Sequence, residues 1–401
     1  LLLTAAAALA RADDRVTVLP LSENRGIAGN TAAAAEHARG ELLAFVDDDD
    51  TLSPFAVYEL LKAYFAHPGA DFFYSDEDKF DPLGRFDPHF KPEWSPDTLK
   101  SYNYITHLMA MTRDLYERAG GMRPGFDGSQ DHDLALRATA ASNGIVHIPK
   151  VLYHWRAHAG SVAGSGQKPY AQEAGLRAVT ESVIKEGGGW ADAGLFPNSY
   201  RARYPLPSRP LVSIVIPNSD HAGLLRACTA SIAATADLPY ELLIVENRSQ
   251  EEETAQLYQE LSAGGAKILP LAGGFNFSAA CNLGAAHARG ELLLFLNNDI
   301  LAARPGWLSA LAEQALRPAV GAVGAKLLYP NGRVQHAVAV VGLCGWADHI
   351  CAGCPEGGGG YASSHLVNAV RNVSAVTGAC LMCEKKKFDA LGGFDVRFTL
   401  C

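Results

Sequence analysis

The amino-acid sequence predicts an α/β protein that contains two tandem copies of one open-sheet domain. The stretch HARGELLAFVDDDD begins at His37, and HARGELLLFLNNDI begins at His287, 250 residues later. Short apolar runs alternate with Ala- and Leu-rich helical stretches, as they do in open α/β sheets. The length of 401 residues suffices for two hydrophobic cores. Because the repeat is far longer than a solenoid period, it indicates tandem domains.

Six apolar runs are predicted to be strands. The run Leu42–Val46 is apolar throughout, which is typical of a central strand covered on both faces. The N-terminal stretch Leu1–Leu21 aligns with Glu251–Leu271 at the same offset, so it predicts an internal helix that leads into a strand and not a signal peptide. The six predicted strands are Val16–Leu19, Leu42–Val46, Phe72–Tyr74, Val212–Ile216, Leu242–Val245 and Leu292–Leu296.

We expect a first domain over residues 1–188, a Gly/Pro-rich linker over 189–209 and a second domain over 210–401. The helical stretch Pro169–Lys185 closes the first domain. At the 250-residue offset, the strand that begins at Val212 would have its counterpart before residue 1. The motif AGGMRPGF recurs as LGGFDVRF 272 residues later, so the counterpart of Ser129–Asp131 would run past Cys401. Both copies are therefore expected to be incomplete, at opposite ends.

The composition excludes some classes of function. The chain is 48% hydrophobic and 19% charged, as expected of a soluble globular protein. Its net charge is −9 and its Lys and Arg residues are not clustered, which disfavours a nucleic-acid surface. No run reaches the roughly 18 apolar residues of a membrane-spanning helix, so any membrane contact would be peripheral. A small anionic ligand in a local pocket is compatible with this charge.

Four carboxylates, Asp47–Asp50, follow the strand Leu42–Val46 directly. Ligands of open α/β sheets collect at the carboxyl ends of strands. The second copy ends in NND, so only the third position, Asp49 or Asp299, is acidic in both copies at this end. One retained carboxylate suits Mg²⁺ or Mn²⁺, which complete their coordination with diphosphate oxygens. The alternative is a solvated acidic turn before a helix that opens at Ser53-Pro54.

The order and spacing of several motifs resemble a tandem family 2 glycosyltransferase with the GT-A fold, a Rossmann-like nucleotide-diphospho-sugar transferase fold. The resemblance covers nearly the whole chain and is to enzymes of bacterial O-antigen and other surface-polysaccharide biosynthesis. The motifs of the first copy are the DxD of Asp47 and Asp49, YSDEDK, FDPHFKPEWSPD, GFDGSQDHDLALR and YHWR. Those of the second copy are SIVIP, VENRS, NFSAACNLGAAHARGELLLFLNND and VTGACLM followed by GGFD.

The resemblance implies roles for individual residues. Asp131 falls on the second position of the family's Glu-Asp motif and is implied to be the catalytic base, although Gln130 replaces the usual Glu. The implied metal ligands are Asp47, Asp49, His154 and Asp299. Asp131 and His154 are then expected to converge on Asp49. Residues implied to contact the substrates are Asp48, Asp76, Asp78, Trp94, Arg156, Glu246 and Asn298.

The implied reaction has independent chemical support. Inverting sugar transfer needs a base for the acceptor hydroxyl and a cation that stabilises the departing nucleoside diphosphate. The expected donor is a UDP-, dTDP- or GDP-sugar, the acceptor a glycan or lipid-linked glycan, and the cofactor Mn²⁺ or Mg²⁺. We expect this reaction in the cytoplasm, at the inner face of the plasma membrane where the acceptor is lipid-linked.

Each assignment has a structural alternative. Asp131 or Asp133 could cap a helix. Asp133 and Arg137 are four residues apart, and we expect them to pair as helix neighbours. His154 and Trp94 could simply pack, and the acids of YSDEDK could form a solvated turn. At the level of function, the alternatives are a metal-dependent nucleotidyltransferase and a non-catalytic module that binds nucleotide sugars or glycans.

All eight cysteines lie from Cys228 onward, and CAGC with CLMC imitates a zinc-binding pattern. However, VTGACLMC reads as a strand, where residues three apart face opposite sides of the sheet. We therefore expect Cys380 and Cys383 to be reduced thiols, which suits a reducing cytoplasm.

Overall fold

A computed structural model of the chain describes residues 2–157, 169–357 and 361–398. The chain forms two compact units. Unit 1 comprises Leu1–Arg203 and Ala369–Asn372, and unit 2 comprises Tyr204–Asn368 and Val373–Cys401. Among the described residues, every helix is too short or too polar to cross a lipid bilayer.

The main sheet of unit 1 is mixed and has six strands. The strand order is β1-β5-β3-β6-β2, with β4 paired to the outer part of β3. Strands β3 and β6 are parallel, whereas β5 runs antiparallel to both β1 and β3. The strands are β1 (Leu42–Phe45), β2 (Thr51–Leu52), β3 (Phe72–Asp81), β4 (Gly84–His89), β5 (Met109–Thr112), β6 (Ile145–Arg156), β7 (Trp190–Ala193) and β8 (Tyr200–Arg203). The helices are α1 (Leu2–Ala12), α2 (Gly26–His37), α3 (Ala56–Ala66), α4 (Pro96–Ser101), α5 (Arg113–Arg118), α6 (Gln130–Ala141) and α7 (Pro169–Gly187).

The core of unit 1 is built around β3, whose first three residues, Phe72, Phe73 and Tyr74, are buried. Helix α3 packs on the same sheet through Ala56 and Leu60. The segment expected to be a linker contains the antiparallel pair β7 and β8. This pair contacts α7, where the Ala191 amide donates to the Thr180 hydroxyl at 3.2 Å. It therefore belongs to unit 1.

Unit 2 contains a six-stranded sheet in the order β11-β10-β9-β12-β18-β13. Strands β9 to β12 are parallel, and β18 is antiparallel to β12. The strands are β9 (Val212–Asn218), β10 (Tyr240–Glu246), β11 (Lys267–Pro270), β12 (Leu292–Leu296), β13 (Val323–Gly324), β14 (Leu327–Leu328), β15 (Val334–His336), β16 (Val338–Val341), β17 (Ala347–Ile350) and β18 (Cys380–Glu384). The helices are α8 (Ala222–Thr235), α9 (Glu252–Ala263), α10 (Phe277–Ala286), α11 (Trp307–Ala315), α12 (Tyr361–Asn368) and α13 (Lys385–Ala390), with a 3₁₀ turn at Leu343–Gly345.

Two apolar clusters cover the two faces of the unit 2 sheet. Alternate residues of each strand enter different clusters, as the two-residue period of a strand requires. Cys380 lies in the cluster with Ile214 and Leu294, and Cys383 in the cluster with Val215 and Phe295. The two thiols of CLMC therefore face opposite sides of the sheet, as predicted. Burial raises the pKa of Cys380 to about 12 and that of Cys383 to about 11, so both stay protonated at neutral pH.

The internal repeat is visible in the strand pairing. In unit 1, Leu42 of β1 lies opposite Thr112 of β5. In unit 2, Leu292 of β12 lies opposite Glu384 of β18. These are the positions that the offsets of 250 and 272 residues make equivalent. The sequence repeat therefore encodes the same antiparallel pair in the same register.

Two predictions about unit 1 are wrong. Residues Val16–Leu19 do not form a strand, although their counterpart forms β11. Strand β1 is not central, because it ends the sheet path, and Val46 beyond it is 47% exposed. Both differences have one cause. Within the described part of unit 1, no strand takes the places that β9 and β10 hold beside β12 and β11.

Candidate functional site

Three metal-binding side chains converge at the carboxyl end of β1. One ligand atom each from Asp47, Asp50 and His107 lies within 4.8 Å of the others. Strand pairing explains the meeting, because Phe45 lies opposite Met109 in the antiparallel pair β1 and β5. Asp47 follows Phe45 by two residues, just beyond β1, and His107 precedes Met109 by two residues, so their side chains meet at this end of the pair. Their Oδ2 and Nε2 atoms are 3.6 Å apart.

Tyr153 of β6 contacts all three residues of this cluster. Its hydroxyl donates to Asp50 Oδ2 at 2.6 Å and accepts the Asp47 amide at 3.1 Å. Its ring stacks on His107, with ring centroids 4.5 Å apart. Burial first, and then the hydrogen bond to Asp50, raise the pKa of Tyr153 above its ordinary value. The hydroxyl is therefore a permanent donor that fixes Asp50.

The electrostatic environment of Asp47 favours a cation. Partial burial raises the pKa of Asp47, His107 opposes that rise, and repulsion from Asp50, Asp131 and Asp49 adds to it. The Asp47 side chain is still 58% exposed, so a ligand can reach it. The two carboxylates suit Mn²⁺ or Mg²⁺, and the imidazole is a ligand for transition-metal ions such as Mn²⁺ and not for Mg²⁺. The residues present therefore fit a divalent cation.

Asp131, the predicted base, lies in the first turn of α6. The N-cap position of this helix is Ser129, so Asp131 is not the cap. Asn103 Nδ2 donates to Asp131 Oδ2 at 2.9 Å. Asn103 belongs to the same short segment between α4 and β5 as His107, so Asp131 contacts the segment that carries the imidazole of the cluster.

Asp133 has a structural role, as the alternative interpretation predicted. Its carboxylate binds the guanidinium groups of Arg123 and Arg137, and the bond to Arg137 Nη2 measures 2.6 Å. Burial would raise the pKa of Asp133, but these two arginines hold it below its ordinary value. The negative charge of Asp133 is therefore neutralised by two arginines inside unit 1.

His154 does not join the cluster, contrary to expectation. It lies opposite Asp78 in the parallel pair β3 and β6, and its Nδ1 is 2.6 Å from Asp78 Oδ1. Asp78 also accepts from Arg85 Nε at 2.6 Å. The register of β6 thus directs His154 to a carboxylate of the neighbouring strand. In this structure His107 replaces it as the imidazole beside Asp47.

The acids of YSDEDK are buried ion-pair partners and not a solvated turn. Asp76 and Asp78 are 3% and 5% exposed. Asp76 accepts the Lys91 amide at 2.9 Å and lies 2.8 Å from His147 Nε2. The roles proposed for Asp76 and Asp78 in contacting substrate therefore have no support in their surroundings, because both carboxylates are bound inside unit 1.

The remaining predicted residues of unit 1 are Asp48, Asp49, Arg156 and Trp94. Asp48 and Asp49 are exposed, and Asp49 lies outside the three-residue cluster. Arg156 donates through its amide to Asp50 Oδ1 at 2.7 Å and through Nε to the Asp49 carbonyl at 2.6 Å. Arg156 thus shapes the loop itself. Trp94 is half-buried.

Unit 2 carries polar residues, but no such cluster, at the equivalent strand ends that the structure describes. Asp299 is exposed. Asn298 Nδ2 donates to Asn218 Oδ1 at 2.6 Å. Glu246 accepts the Ser249 amide at 2.6 Å. The positions equivalent to Asp47, Asp50 and His107 hold Asn297, Ile300 and Ala379.

Sequence reasoning missed Asp50, His107 and Tyr153. The comparison of the two copies pointed away from Asp50, because Ile300 stands at its equivalent position. His107 is a single histidine in NYITHLMAM, and no neighbouring motif marks it. Tyr153 lies in the YHWR motif, where the resemblance implies a role for the following residue, His154, and none for the tyrosine. Only the pairing of β1 with β5 could have identified His107.

Comparison with known proteins identifies the family. The sequence profile of glycosyl transferase family 2 matches residues 2–120 and 213–339. The chain belongs to glycosyl transferase family 2. One matched segment falls in each unit, which confirms the prediction of two tandem α/β glycosyltransferase domains.

Two relatives of this family 2 chain match over almost its whole length. It is 40% identical over 395 residues to the O-antigen biosynthesis protein RfbC of Myxococcus xanthus, a match that covers 98% of the chain and 31% of RfbC. It is 41% identical over 392 residues to the uncharacterized protein y4gI of Sinorhizobium fredii, covering 96% of the chain and 43% of y4gI. The chain thus spans less than half the length of either relative.

Solved structures give weaker likenesses. The mannosyltransferase PcManGT from Pyrobaculum calidifontis, in complex with GDP-Man and Mn²⁺, is 16% identical with a TM-score of 0.34, over 47% of this chain and 49% of that one. Residues 1–349 of S. aureus TarS, in complex with UDP-GlcNAc, are 16% identical with a TM-score of 0.34, over 42% of this chain and 50% of that one. At these TM-scores the likeness assigns no residue of the family 2 chain.

Proposed function

We propose that unit 1 is the catalytic domain of an inverting glycosyltransferase. It transfers a sugar from a nucleoside-diphosphate donor to a glycan or lipid-linked glycan acceptor, with the help of Mn²⁺ or Mg²⁺. The observation that carries this proposal is the convergence of Asp47, Asp50 and His107 at a strand end. A candidate base, Asp131, accepts a hydrogen bond from Asn103, which precedes His107 by four residues in the same loop.

The proposed chemistry is a single displacement. Asp131 accepts the proton of the acceptor hydroxyl while that oxygen bonds to the anomeric carbon. The bond between the anomeric carbon and the diphosphate oxygen breaks with inversion, and the nucleoside diphosphate departs with the electron pair. Asn103 donates to Asp131 Oδ2 and so orients the carboxylate.

Asp47, Asp50 and His107 would hold the divalent cation, which supplies stabilisation of the negative charge on the departing diphosphate. Tyr153 keeps Asp50 and His107 in place through a hydrogen bond and ring stacking. Arg156 fixes the backbone and carboxylate of the loop that carries the two acids. The proposed site thus combines a cation position with a base on an adjacent helix.

For unit 2 we propose binding of a nucleotide sugar or glycan without metal chemistry. Asn218, Glu246 and Asn298 lie at the carboxyl ends of the parallel strands β9 and β10 and just after β12, where ligands of open sheets bind. Their amide and carboxylate groups can hydrogen-bond ribose hydroxyls. The proposed role therefore differs from that of unit 1.

Calorimetric titration of the purified chain with UDP-, dTDP- and GDP-sugars tests the proposal for unit 1. In Mn²⁺ we expect one of these donors to bind at least about tenfold more tightly than in EDTA, because the cation bridges the carboxylates and the diphosphate. Because unit 2 is proposed to bind without metal, the deciding result is a Mn²⁺-dependent binding event that Asp47→Asn removes; its absence for every donor would overturn metal assistance. Binding of none of the three donors would overturn the proposed substrate class.

A further inference from the structure

The loop that delivers His107 to the metal-binding cluster also contacts Asp131. This loop, residues 103–107, links α4 to β5. Its first residue, Asn103, donates to Asp131 Oδ2, and the Asn103 side-chain oxygen accepts the Thr106 amide at 3.3 Å. Its last residue, His107, faces Asp47. A shift of this one loop would therefore disturb the imidazole of the cluster and the partner of the base together.

A buried ion pair between Glu77 and Lys91 holds this loop from inside unit 1. Both carboxylate oxygens of Glu77 accept the Thr106 hydroxyl, at 2.8 and 2.7 Å, and Glu77 Oε2 accepts the His107 amide at 3.1 Å. Lys91 Nζ donates to the Ile105 carbonyl at 2.5 Å and to the His107 carbonyl. The two charged groups are 3.4 Å apart, and the Lys91 side chain is fully buried. Residues 105–107 are thus held by the carboxylate of Glu77 and the ammonium group of Lys91.

The backbone of the loop needs such restraint. Thr106 has a φ of 38°, in a region that β-branched residues rarely occupy. Residues in such conformations persist only where surrounding contacts hold them, and they cluster at functional sites. The Thr106 hydroxyl bonds to Glu77, and its amide bonds to Asn103. Side-chain contacts therefore impose the conformation that places His107.

Stability alone does not explain this buried pair. Apolar residues of similar volume are often as stabilising as a buried ion pair, because desolvation of two charges is costly. The motif YSDEDK also contains Asp76, whose carboxylate accepts the Lys91 amide. Two acids of the motif are thus directed at Lys91 and at the loop that it holds, which is the arrangement expected of a support for a binding site.

We propose that Glu77 and Lys91 are positioning residues, which fix residues 105–107 so that His107 faces Asp47 in the geometry that binds a divalent cation. This inference rests on the proposed metal-binding role of Asp47, Asp50 and His107. It assigns to the acidic motif a function in supporting that cluster, and no direct contact with substrate.

The test compares Glu77→Gln, Thr106→Ala and Thr106→Ser in the whole chain. Glu77→Gln removes the charge and one acceptor, and Thr106→Ala removes only the hydroxyl that Glu77 binds. We expect the dissociation constant for Mn²⁺, measured by calorimetry, to rise about 10- to 100-fold in Glu77→Gln, as it does when outer-shell partners of metal ligands are lost. It should rise less in Thr106→Ala and return towards the wild-type value in Thr106→Ser.

A second readout does not depend on metal. With ¹³Cε1-labelled histidine, the His107 resonance is assigned by its loss in His107→Gln. It should carry a ring-current shift from Tyr153, because the two rings are stacked. This shift should change in Glu77→Gln and Thr106→Ala and persist in Thr106→Ser.

Asp71→Asn is the matched control. Asp71 is buried at the other end of the same strand and binds Ser142 Oγ at 2.5 Å and Arg118 Nη2 at 2.6 Å. We expect it to lower the melting temperature but to leave both the Mn²⁺ affinity and the His107 resonance unchanged.

The outcomes separate the two proposals. Unchanged Mn²⁺ affinity and an unchanged His107 resonance in folded Glu77→Gln would overturn the positioning role while the metal site stands. No Mn²⁺ binding by the wild-type chain would overturn the metal site, and the His107 resonance would then decide the positioning role alone. If Glu77→Gln does not fold, the contrast between Thr106→Ala and Thr106→Ser decides in its place.

Discussion

Units 1 and 2 use the same strand pair in the same register but end the first strand differently. Leu42 faces Thr112 in unit 1, and Leu292 faces Glu384 in unit 2. Beyond that common frame, unit 1 has Asp47, Asp50 and His107, and unit 2 has Asn297, Ile300 and Ala379. The shared apolar sequence therefore accounts for the common pairing, and the two units differ in the metal-binding side chains that follow it.

The same strand also differs in burial between the units. All five residues of β12 are buried, whereas β1 is only partly covered. Phe295 contacts the rings of Phe388 and Phe394, and the equivalent Phe45 lies 6.0 Å from Tyr116 alone among the described rings. The burial of a strand is thus set by its neighbours. Sequence similarity between the two strands does not transfer it.

The largest expected effect comes from this pair of phenylalanines. Phe295→Ala should destabilise unit 2 by about 3–5 kcal/mol, since it empties a fully packed position. Phe45→Ala should destabilise unit 1 by only about 1–2 kcal/mol, because less apolar surface is buried there. Urea unfolding followed by hydrogen exchange, with peptides assigned to each unit, measures both losses. Equal losses would show that the difference in burial has no energetic consequence.

The next largest effect concerns catalysis in unit 1. Asp131→Asn should lower the rate of sugar transfer by at least about 10²-fold, because the acceptor hydroxyl loses its base, while donor affinity stays similar. Asp127→Asn is the control, since Asp127 lies in the turn that precedes α6 and its carboxylate accepts the Ala28 amide at 3.0 Å. A similar loss in both variants would assign the effect to the turn and not to the base.

The sequence predicted the fold better than the site, for physical reasons that particular residues show. Apolar runs and the internal repeat were sufficient to locate β1, β9 and β12, because these features depend on local composition. The prediction of a strand at Val16–Leu19 was wrong because a strand also needs a neighbouring strand to pair with, which local composition does not show. Asp131 was predicted from its motif, but His107 was not, because its meeting with Asp47 depends on which strands are neighbours. His154 was misassigned because the register of β6 with β3 cannot be read from the YHWR motif.

The smallest expected effect addresses the difference between the two strand ends directly. If Asp49 and Asp299 were equivalent metal positions, the chain would bind two Mn²⁺ ions of similar affinity. The cluster of Asp47, Asp50 and His107 predicts one tight ion instead, since the described part of unit 2 has no corresponding group of ligands. Asp47→Asn introduces the residue found at position 297 and should weaken the tight ion about tenfold or more, because a neutral amide oxygen replaces a charged ligand.

Calorimetry or electron paramagnetic resonance gives the stoichiometry and affinity of Mn²⁺ in both forms. Asp114→Asn is the control, because its 78% exposed side chain pairs with Arg118 of the same helix. Two tight ions in the wild-type chain would contradict the distinction between the units. A single ion whose affinity is unaffected by Asp47→Asn would place the cation elsewhere. A single ion weakened by Asp47→Asn would place the cation at the carboxyl end of β1, where unit 1 has an aspartate and unit 2 has Asn297.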